Sequence, residues 1–421
     1  MKTKAVRMYG KDDLRLESYE LPEIKDDEIL VKIMSDSICM STYKLVDQGK
    51  NHKRCPQNVD TNPVIIGHEF CGVIEQVGDK WKDQFKKGQK FVQQPALNYK
   101  GSLASPGYSY ENCGGAATYC IMPHEVMELG CLMPYEGRSF YKGSLGEPMS
   151  CIIGGYHANY HTNKQNRNHA MGTKENGNIL IMGGCGPMGL GAVDYGINFE
   201  NKPQRIVVTD IDDARIERAK EVISPEFAKE RGIDLVYVNT ANMENPKEEL
   251  MAISEGHGYD DVFVYAPVRQ VAELADELLA FDGCMNFFAG PTNKEFKADI
   301  NLYDVHYTSA HILGTTGGDN NDLIEANDLS ARGVLDPSVM VTHVGGIDSI
   351  AETTLNLPKI PGGKKLTYTQ FEMPLTAIED FEKLGETDPL FAKLDQSVKA
   401  HKGLWNDEAE AILFDHFGVQ A

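Results

Sequence analysis

A thiol, an imidazole and two carboxylates stand at three places in the first half of the chain. "SDSICMSTYK" contains Cys39 and Ser41, and "GSLGEPMSC" contains Glu147. "GHEFCGVIEQVG" places His68 and Glu69 side by side, just before a predicted strand, where adjacent side chains point to opposite faces. These residue types are a ligand set for a catalytic zinc with an open coordination position. The separation of Cys39 from His68 is not diagnostic, so a small buried cysteine and a core histidine satisfied by its neighbour remain alternatives.

A second group of residues could bind a phosphate-containing cofactor. "ILIMGGCGPMGLG" contains the pattern G-x-G-x-x-G directly after a predicted strand and at the start of a predicted helix. The glycines allow a tight turn and close backbone approach, and the helix N-terminus is left to hold a pyrophosphate. The residues predicted to contact the cofactor in this turn are Gly184, Gly186, Pro187, Met188 and Gly189.

Asp210 ends the next predicted strand, "RIVVTD". A carboxylate at this position can accept hydrogen bonds from the ribose hydroxyls and would repel a 2′-phosphate. NAD(H) is therefore the favoured cofactor, while the nearby Arg215 keeps NADP(H) open. The alternative, a glycine-rich turn with an incidental surface aspartate, is disfavoured because motif, strand, helix and carboxylate follow in the required order.

The apolar runs that must position these residues change character along the chain. Early segments such as "EILVKIMSDSIC" and "GQKFVQQPA" indicate irregular strands. Later segments such as "QRIVVTDIDDARIERAKEVI" combine a buried strand with a helix, which predicts parallel βαβ units in a doubly wound sheet. "IPGGKKLTY" is expected to return a strand to the first domain. We predict a β-rich catalytic domain over 1–155, a nucleotide-binding domain over 156–318, and over 319–421 a return to the catalytic domain with a C-terminal helical extension.

Composition excludes several classes of partner. The 421 residues include 41 Lys and Arg against 62 Asp and Glu, a net charge of −21, which argues against nucleic acid and anionic membrane surfaces. No apolar run is long enough to span a bilayer, and the first residues lack a secretory apolar region. Nine scattered cysteines without a Cys-x-x-Cys pair favour a reducing compartment. A cytoplasmic location and a small-molecule substrate are expected.

The motifs "C-x-S", "GHEFCGVI", "LGEPMSC", "GGCGPMG" and "VVTDID", in this order, resemble the zinc-dependent medium-chain dehydrogenase/reductase family. The resemblance extends to about residue 370. It implies an α/β fold with a β-rich GroES-like catalytic domain and a Rossmann domain with a doubly wound parallel sheet. More narrowly, "SYENCGGAATY", "NFFAGPTNKEF" and "NLPKIPGGKKL" resemble the L-sorbose-1-phosphate reductase group, which converts that ketose phosphate to D-glucitol 6-phosphate. We expect a homodimer or homotetramer.

The resemblance assigns roles to individual residues. Cys39 and His68 match two zinc ligands, and Glu69 matches the carboxylate that ligates zinc in the polyol branch. Glu147 matches a position that supplies a further ligand or a hydrogen bond to the zinc-bound water. Ser41 matches the hydroxyl that contacts the substrate oxygen and starts a proton relay.

Several positions depart from the family pattern. Met40 and Thr42 stand where the family usually has Gly and Asp, and Thr42 cannot supply the carboxylate that orients a ligand. The relay histidine is replaced by Lys44 or its neighbours, which leaves the route of the proton open. The segment that carries four zinc-binding cysteines in many relatives contains only Cys113, so we expect one catalytic zinc and no structural zinc.

The substrate phosphate would need a local cluster of cations in so acidic a protein. "GKNHKRCP" lies between the first two predicted ligands, and Lys53 or Arg54 is predicted to bind the phosphate, with a solvated surface charge as the alternative for each.

Two other functions remain as alternatives to the reduction of a ketose phosphate. One is an unphosphorylated polyol or sorbitol-type dehydrogenase, and the other is a non-catalytic nucleotide-binding protein of the same fold.

Overall fold

The computed structural model describes residues 1–163 and 165–420, and the chain divides into two compact units. The first unit comprises residues 1–148, 319–333 and 341–421, and the second unit comprises 149–318 and 334–340. The sequence-based boundary at 155 and the assignment of 334–340 to the returning segment therefore differ from the structure. The reason is packing, because Met149, Ile152 and Met340 all crowd the Cα of Gly191 in the second unit.

The strands are numbered along the chain. They are β1 (Lys2–Gly10), β2 (Asp13–Glu20), β3 (Ile29–Ile38), β4 (Val64–Ile65), β5 (Phe70–Val77), β6 (Lys90–Gln93), β7 (Tyr119–Met122), β8 (Leu132–Pro134), β9 (Tyr160–Thr162), β10 (His169–Met171), β11 (Asn178–Met182), β12 (Arg205–Asp210), β13 (Asp234–Asn239), β14 (Tyr259–Val264), β15 (Leu279–Phe287), β16 (His311–Leu313), β17 (Val341–Gly346), β18 (Lys364–Tyr368) and β19 (Thr376–Ala377).

The α-helices are numbered in the same way, and short 3₁₀ turns between elements are left without labels. They are α1 (Met40–Gln48), α2 (His124–Glu128), α3 (Phe140–Ser144), α4 (Gly146–Ala158), α5 (Pro187–Asn198), α6 (Asp213–Val222), α7 (Pro225–Lys229), α8 (Pro246–Ile253), α9 (Arg269–Glu277), α10 (Leu302–Thr308), α11 (Asn320–Ala331), α12 (Ile350–Asn356), α13 (Phe381–Gly385), α14 (Pro389–Ala400) and α15 (Asp407–Phe417).

The strands of the first unit pair antiparallel, except that β17 and β18 are parallel. Its larger sheet has the order β19-β17-β18-β3-β5-β6-β8, with β7 also paired to β3, and a smaller sheet has the order β2-β1-β4. β3 is the central strand, because β5, β7 and β18 all pair with it. The segment that returns from the end of the chain thus places β18 directly beside the strand that leads to Cys39.

The second unit contains a six-stranded parallel sheet in the order β13-β12-β11-β14-β15-β16. Every residue of β11 and β14 is buried, as expected for strands covered on both faces. Two runs of consecutive strands leave β11 in opposite directions, which is the doubly wound arrangement. The predicted fold class, a β-rich GroES-like unit with a Rossmann unit, is confirmed.

The C-terminal part of the first unit is helical. α14 and α15 pack together, and this part of the chain buries Leu394, Val398, Trp405 and Leu413. α15 begins at an asparagine cap, Asn406, whose side chain accepts two backbone N–H groups. Among the described residues, no helix has the length and apolar character needed to cross a membrane.

Candidate active site

Three predicted zinc ligands meet where β3 ends and β5 begins. One ligand atom from each of Cys39, His68 and Glu69 lies within 4.8 Å of the other two. β3 and β5 are antiparallel, so the last residues of one strand lie beside the first residues of the other. Cys39 also caps α1, because its Sγ accepts the backbone N–H of Ser41 at 3.5 Å. Antiparallel pairing therefore brings together residues that are far apart in sequence.

The backbone at His68 is held by a glycine and a glutamine. Gly67 has φ +88°, and a Cβ there would lie 2.2 Å from Oδ2 of Asp36, so glycine is required. Gln93 donates from Nε2 to the carbonyl oxygen of His68 at 2.6 Å. The buried imidazole is thus fixed in position by main-chain contacts.

The two ring nitrogens of His68 have different hydroxyl neighbours. Thr42 Oγ1 lies 3.2 Å from Nδ1, and the Tyr108 hydroxyl lies 3.1 Å from Nε2. Thr42 thus orients the ring through its hydroxyl at the position where the family has a carboxylate, a contact that the sequence analysis did not foresee. Burial lowers the pKa of His68 to about 4, which keeps the imidazole neutral as metal binding requires. Tyr108 was missed because its segment resembles a loop with no motif.

Glu69 forms a buried ion pair that the sequence analysis also missed. Lys364 Nζ donates to Oε1 of Glu69 at 2.5 Å and to Oε2 at 2.6 Å, and Ser37 donates its hydroxyl to Oε2. Burial raises the pKa of Glu69, but the Lys364 ammonium outweighs this, so the pKa lies below its ordinary value. The pKa of Lys364 is lowered by burial and raised more by Glu69, so both groups are charged. The only signal in the sequence was the "GGKK" of the returning strand.

The thiol of Cys39 is buried near two carboxylates and one ammonium. Burial raises the pKa of Cys39 to about 12; the charges of Glu69 and Glu147 add to the rise, and the Lys364 ammonium opposes it. Glu147 lies in the first turn of α4 and is buried, but it does not belong to the ligand-atom group of Cys39, His68 and Glu69. A divalent cation would relieve this environment and stabilise the thiolate. The donor set therefore fits zinc, and the assignment of ligands stays a prediction.

Ser41 and Lys44 lie on α1 close to this group. The Oγ of Ser41 is 3.1 Å from the Sγ of Cys39. Lys44 follows Ser41 by one helical turn, so the two side chains share a face of α1. Burial lowers the pKa of Lys44, and the nearby Cys39 acts in the opposite direction, which indicates that the ammonium is within electrostatic reach of the thiol.

The two predicted phosphate-binding cations have different surroundings. Arg54 is half-buried, with its guanidinium carbon 5.1 Å from the centre of the Tyr108 ring and Nη1 donating to Ser105 Oγ at 2.9 Å. Lys53 is exposed. His52 stacks on Tyr108, with the two ring centres 5.9 Å apart.

The charges around His52 define a basic cluster. Burial, together with the positive charges of Arg54, Lys53 and Lys44, lowers the pKa of His52 to about 4. Three cations therefore lie near one imidazole in a protein whose net charge is −21. Because Arg54 contacts Tyr108, and Tyr108 contacts His68, the cluster adjoins the candidate metal ligands.

The predicted nucleotide loop lies between β11 and α5 in the second unit. Gly186 is the N-cap of α5, and Pro187 is its first residue. A Cβ on Gly189 would lie 2.4 Å from the Cα of Gly184, so the start of the helix packs directly on the turn. Gly186, Pro187 and Met188 are only half-buried, which leaves the backbone at the start of α5 accessible to a ligand.

Asp210 lies at the end of β12 beside this loop. Its Oδ2 accepts the N–H of Cys185 at 3.3 Å, and its Oδ1 accepts the N–H of Ile211 at 2.8 Å. The carboxylate thus contacts the glycine-rich turn itself. Arg215 lies with its Nε 4.0 Å from the Asp212 carboxylate. The geometry agrees with a role for Asp210 at the ribose, which stays a prediction.

Comparisons with known proteins bear on these two sites. Residues 25–130 match the alcohol dehydrogenase GroES-like domain, and residues 187–332 match the zinc-binding dehydrogenase model. The chain is 51% identical to mannitol-1-phosphate 5-dehydrogenase of Aliivibrio fischeri, over 99% of this chain and 98% of that protein. It is 44% identical to L-sorbose 1-phosphate reductase of Klebsiella pneumoniae, over 98% of each. The chain belongs to the zinc-dependent medium-chain dehydrogenase/reductase family.

As a member of the medium-chain dehydrogenase/reductase family, the chain is an oxidoreductase, and the predicted family and enzyme class are confirmed. Its fold is that of 2R,3R-butanediol dehydrogenase from Bacillus subtilis, with a TM-score of 0.71 and 21% sequence identity over 87% of this chain and 100% of that chain. The alignment covers the whole of the structural neighbour but only 87% of this chain, so this medium-chain dehydrogenase is the longer of the two.

Proposed function

We propose that the protein is a zinc-dependent reductase that converts L-sorbose 1-phosphate to D-glucitol 6-phosphate with NADH, with NADPH as the alternative reductant. The observation that carries the proposal is the basic cluster of Lys44, Lys53 and Arg54, which surrounds His52 beside the Cys39-containing ligand group. Support also comes from the names of the two relatives, since both denote a phosphorylated sugar or polyol.

Cys39, His68 and Glu69 would hold the zinc ion. When bound, zinc would act as a Lewis acid on the substrate carbonyl, and reduced nicotinamide would supply the hydride. The Ser41 hydroxyl, which lies beside the Cys39 thiol, donates the proton that the product oxygen needs. Lys364 balances the charge of Glu69 throughout. Glu147 contributes negative charge that favours a cation at the site.

Arg54 is the residue best suited to the substrate phosphate. Its guanidinium packs on Tyr108 and has no carboxylate partner among the residues that the structure describes, whereas Lys53 is exposed. A charge-assisted hydrogen bond from Arg54 to phosphate is worth about 1.5–3 kcal/mol net. Lys44 would add positive charge from the side of α1.

An NADH oxidation assay with zinc-loaded protein tests the reaction. L-Sorbose 1-phosphate should be reduced faster than L-sorbose at equal concentration. D-Mannitol 1-phosphate and D-glucitol 6-phosphate should be compared in the oxidative direction, because the 51% identical relative makes mannitol 1-phosphate the second candidate. No preference for phosphorylated substrates would favour the free-polyol alternative, and no turnover of any polyol or ketose would favour the non-catalytic one.

The matched variants Arg54→Met and Lys53→Met test the phosphate contact. Arg54→Met should lower kcat/KM for the phosphate ester by about one to two powers of ten while scarcely changing the rate on the free sugar. Lys53→Met serves as the control of equal charge change, and a small effect is expected. Equal losses of Arg54→Met on both substrates would mean that the segment is structural.

The assembly of the chain stays a prediction. A homodimer or homotetramer is proposed, by analogy with the family. Sedimentation equilibrium of the purified protein measures the subunit number directly, and a monomer at micromolar concentration would contradict the proposal.

A further inference from the structure

A buried carboxylate on the C-terminal helix α15 is bound by three donors. Glu410 is 4% exposed, and its Oε1 accepts the N–H of Phe140 at 2.7 Å. Its Oε2 accepts the N–H of Tyr141 at 2.9 Å and the hydroxyl of Tyr368 at 2.8 Å. Trp405 donates from Nε1 to the Tyr368 oxygen at 2.9 Å, so the single hydroxyl proton of Tyr368 is directed at Glu410.

All three donors belong to two segments that carry, or lead directly to, residues of the candidate metal centre. Phe140 and Tyr141 begin α3, and only Leu145 separates α3 from α4, which carries Glu147 in its first turn. Tyr368 is the last residue of β18, and Lys364 is the first. The side chain of Glu410 therefore joins the element that precedes Glu147 to the strand that carries Lys364.

A third segment, β3, connects the other two by hydrogen bonds. Ser35 on β3 donates its hydroxyl to the carbonyl oxygen of Phe140 at 2.8 Å, and it is paired with Tyr368 in the β3–β18 ladder. β3 runs on directly to Cys39. Hydrogen bonds thus lead from Glu410 to α3, from α3 to β3, from β3 to β18, and from β18 back to Glu410.

The packing of α3 leaves little freedom in this set of hydrogen bonds. A Cβ on Gly143 would lie 2.4 Å from the Sγ of Cys71, so α3 lies in direct contact with β5, the strand that follows Glu69. Within a close-packed interior, a displacement of one element is transmitted to its neighbours. A change at Glu410 is therefore expected to displace all of the segments that supply the candidate ligands.

We propose that Glu410 is a positioning residue for the metal centre, through which the C-terminal helix sets the geometry of Cys39, Glu147 and Lys364. This inference rests on the proposed function. A different interpretation is that Glu410 only completes the core, in which case its loss lowers stability and leaves the affinity for zinc unchanged. The two interpretations differ in a binding measurement that does not need catalysis.

The test compares the parent with Glu410→Gln, which keeps the size of the side chain and removes its charge. The zinc Kd is measured by competition with a chromogenic chelator, well below the Tm of the variant, and NADH affinity is measured by fluorescence. We expect the variant to bind zinc about tenfold to a hundredfold more weakly, as for other groups that orient metal ligands, with NADH affinity unchanged. Its kcat should fall, with little change in KM for NADH.

Asp407→Asn is the matched control. Asp407 lies in the same first turn of α15, accepts from Ser139 Oγ at 2.8 Å and pairs with Lys142 Nζ of α3 at 3.3 Å. Its side chain is 44% exposed, and among the described residues it has no hydrogen bond or ion pair with β18. Zinc affinity in this variant should equal that of the parent. A loss as large as that of Glu410→Gln would mean that any disturbance of α15 acts on the site, and would overturn the specific role of Glu410.

Tyr368→Phe keeps the proposal testable if Glu410→Gln does not fold. This variant removes one donor to Glu410, and a smaller weakening of zinc binding in the same direction is expected. A folded variant, Glu410→Gln or Tyr368→Phe in its place, that has a lower Tm but the zinc Kd of the parent would overturn the inference. A parent that binds no zinc would instead overturn the proposed function, so the two failures are distinct.

Discussion

The nucleotide loop and the candidate metal centre are both placed at strand ends, but they are built in different ways. The loop is one continuous segment between β11 and α5, and its shape follows from the close contact of Gly184 with Gly189. The metal centre draws Cys39, His68 and Lys364 from distant parts of the chain. A site formed by backbone conformation can lie within one short segment. A site formed by charged side chains depends on groups from distant segments that the fold brings together.

The difference also concerns how the groups depend on one another. In the candidate metal centre, burial and the neighbouring charges together set the ionisation of Cys39 and Glu69, so each substitution changes the state of the remaining groups. In the loop, Asp210 contacts backbone N–H groups whose positions are held by the turn. We expect larger and more coupled effects from changes in the metal centre than from changes in the loop.

The largest effect is expected from Cys39→Ser. Removing the thiol should abolish zinc binding and lower kcat/KM by at least about a thousandfold, because a Lewis-acid metal contributes several kcal/mol to catalysis. The affinity for NADH, measured by fluorescence titration, should stay at the parent value because the loop belongs to the second unit. A metal-free protein with full activity would contradict the proposed mechanism.

Lys364→Met tests whether zinc can replace the positive charge that Lys364 supplies to Glu69. Breaking a buried pair leaves the Glu69 carboxylate uncompensated, at a cost of about 3–5 kcal/mol in the free energy of unfolding. Zinc should recover much of this loss by supplying the missing positive charge. The measurement is the denaturant midpoint of parent and variant, each with zinc and with a chelator.

Lys365→Met is the control for the preceding experiment. The Lys365 ammonium is also buried, but it donates to the carbonyl oxygens of Pro361 and Gly363, both at 2.7 Å. Its loss should lower stability to the same extent with and without zinc. If both variants respond equally to zinc, the Glu69–Lys364 pair has no special relation to the metal.

Asp210→Asn tests the loop by a smaller change. The amide keeps an acceptor for the Cys185 N–H and removes the charge that would repel a 2′-phosphate. The preference for NADH over NADPH, as a ratio of kcat/KM values, should fall by about tenfold, or ~1.4 kcal/mol. Asp212→Asn is the control, because that carboxylate caps α6. A parent that already prefers NADPH would show that the assignment of Asp210 is wrong.

The smallest effect on stability is expected from a charge pair in the second unit. This pair joins residues that are distant in sequence, as in the candidate metal centre and unlike the nucleotide loop. His161 Nε2 lies 3.2 Å from Asp261 Oδ1, and Nδ1 lies 2.9 Å from the carbonyl oxygen of Asp282. Burial lowers the pKa of His161, but the hydrogen bond and charge of Asp261 outweigh it, so the pKa is raised.

Because the folded-state pKa of His161 is raised, its stabilising contribution is complete below its unfolded pKa and is lost as the pH rises through the folded value. The Tm should therefore fall by about 2–4 °C as the pH rises from the unfolded-state pKa of about 6.5 through the folded-state pKa. His161→Gln should remove this part of the pH dependence and leave the zinc Kd unchanged. An identical pH profile in parent and variant would show that the pair does not titrate in this range.

The sequence predicted what rests on local pattern. The alternation of buried strands and helices indicated the parallel sheet, and the glycine motif indicated the loop at the start of α5. Lys364, Tyr108 and Glu410 could not be predicted from the sequence, because each acts through a partner that is distant in sequence. A buried ion pair or hydroxyl produces no periodic pattern in the sequence. The role of Thr42 was missed for another reason, since a hydroxyl can orient a ring nitrogen where a carboxylate was expected.

The Glu69–Lys364 pair has a consequence for how the enzyme matures. Many small metal-binding domains stay unfolded until their ion arrives, because they need the free energy of metal binding to fold. Here the chain carries its own counter-charge on β18, so the first unit can complete its fold in a metal-starved cell. We therefore expect newly synthesised protein to persist as a stable reserve that becomes active when zinc is supplied, without having to refold.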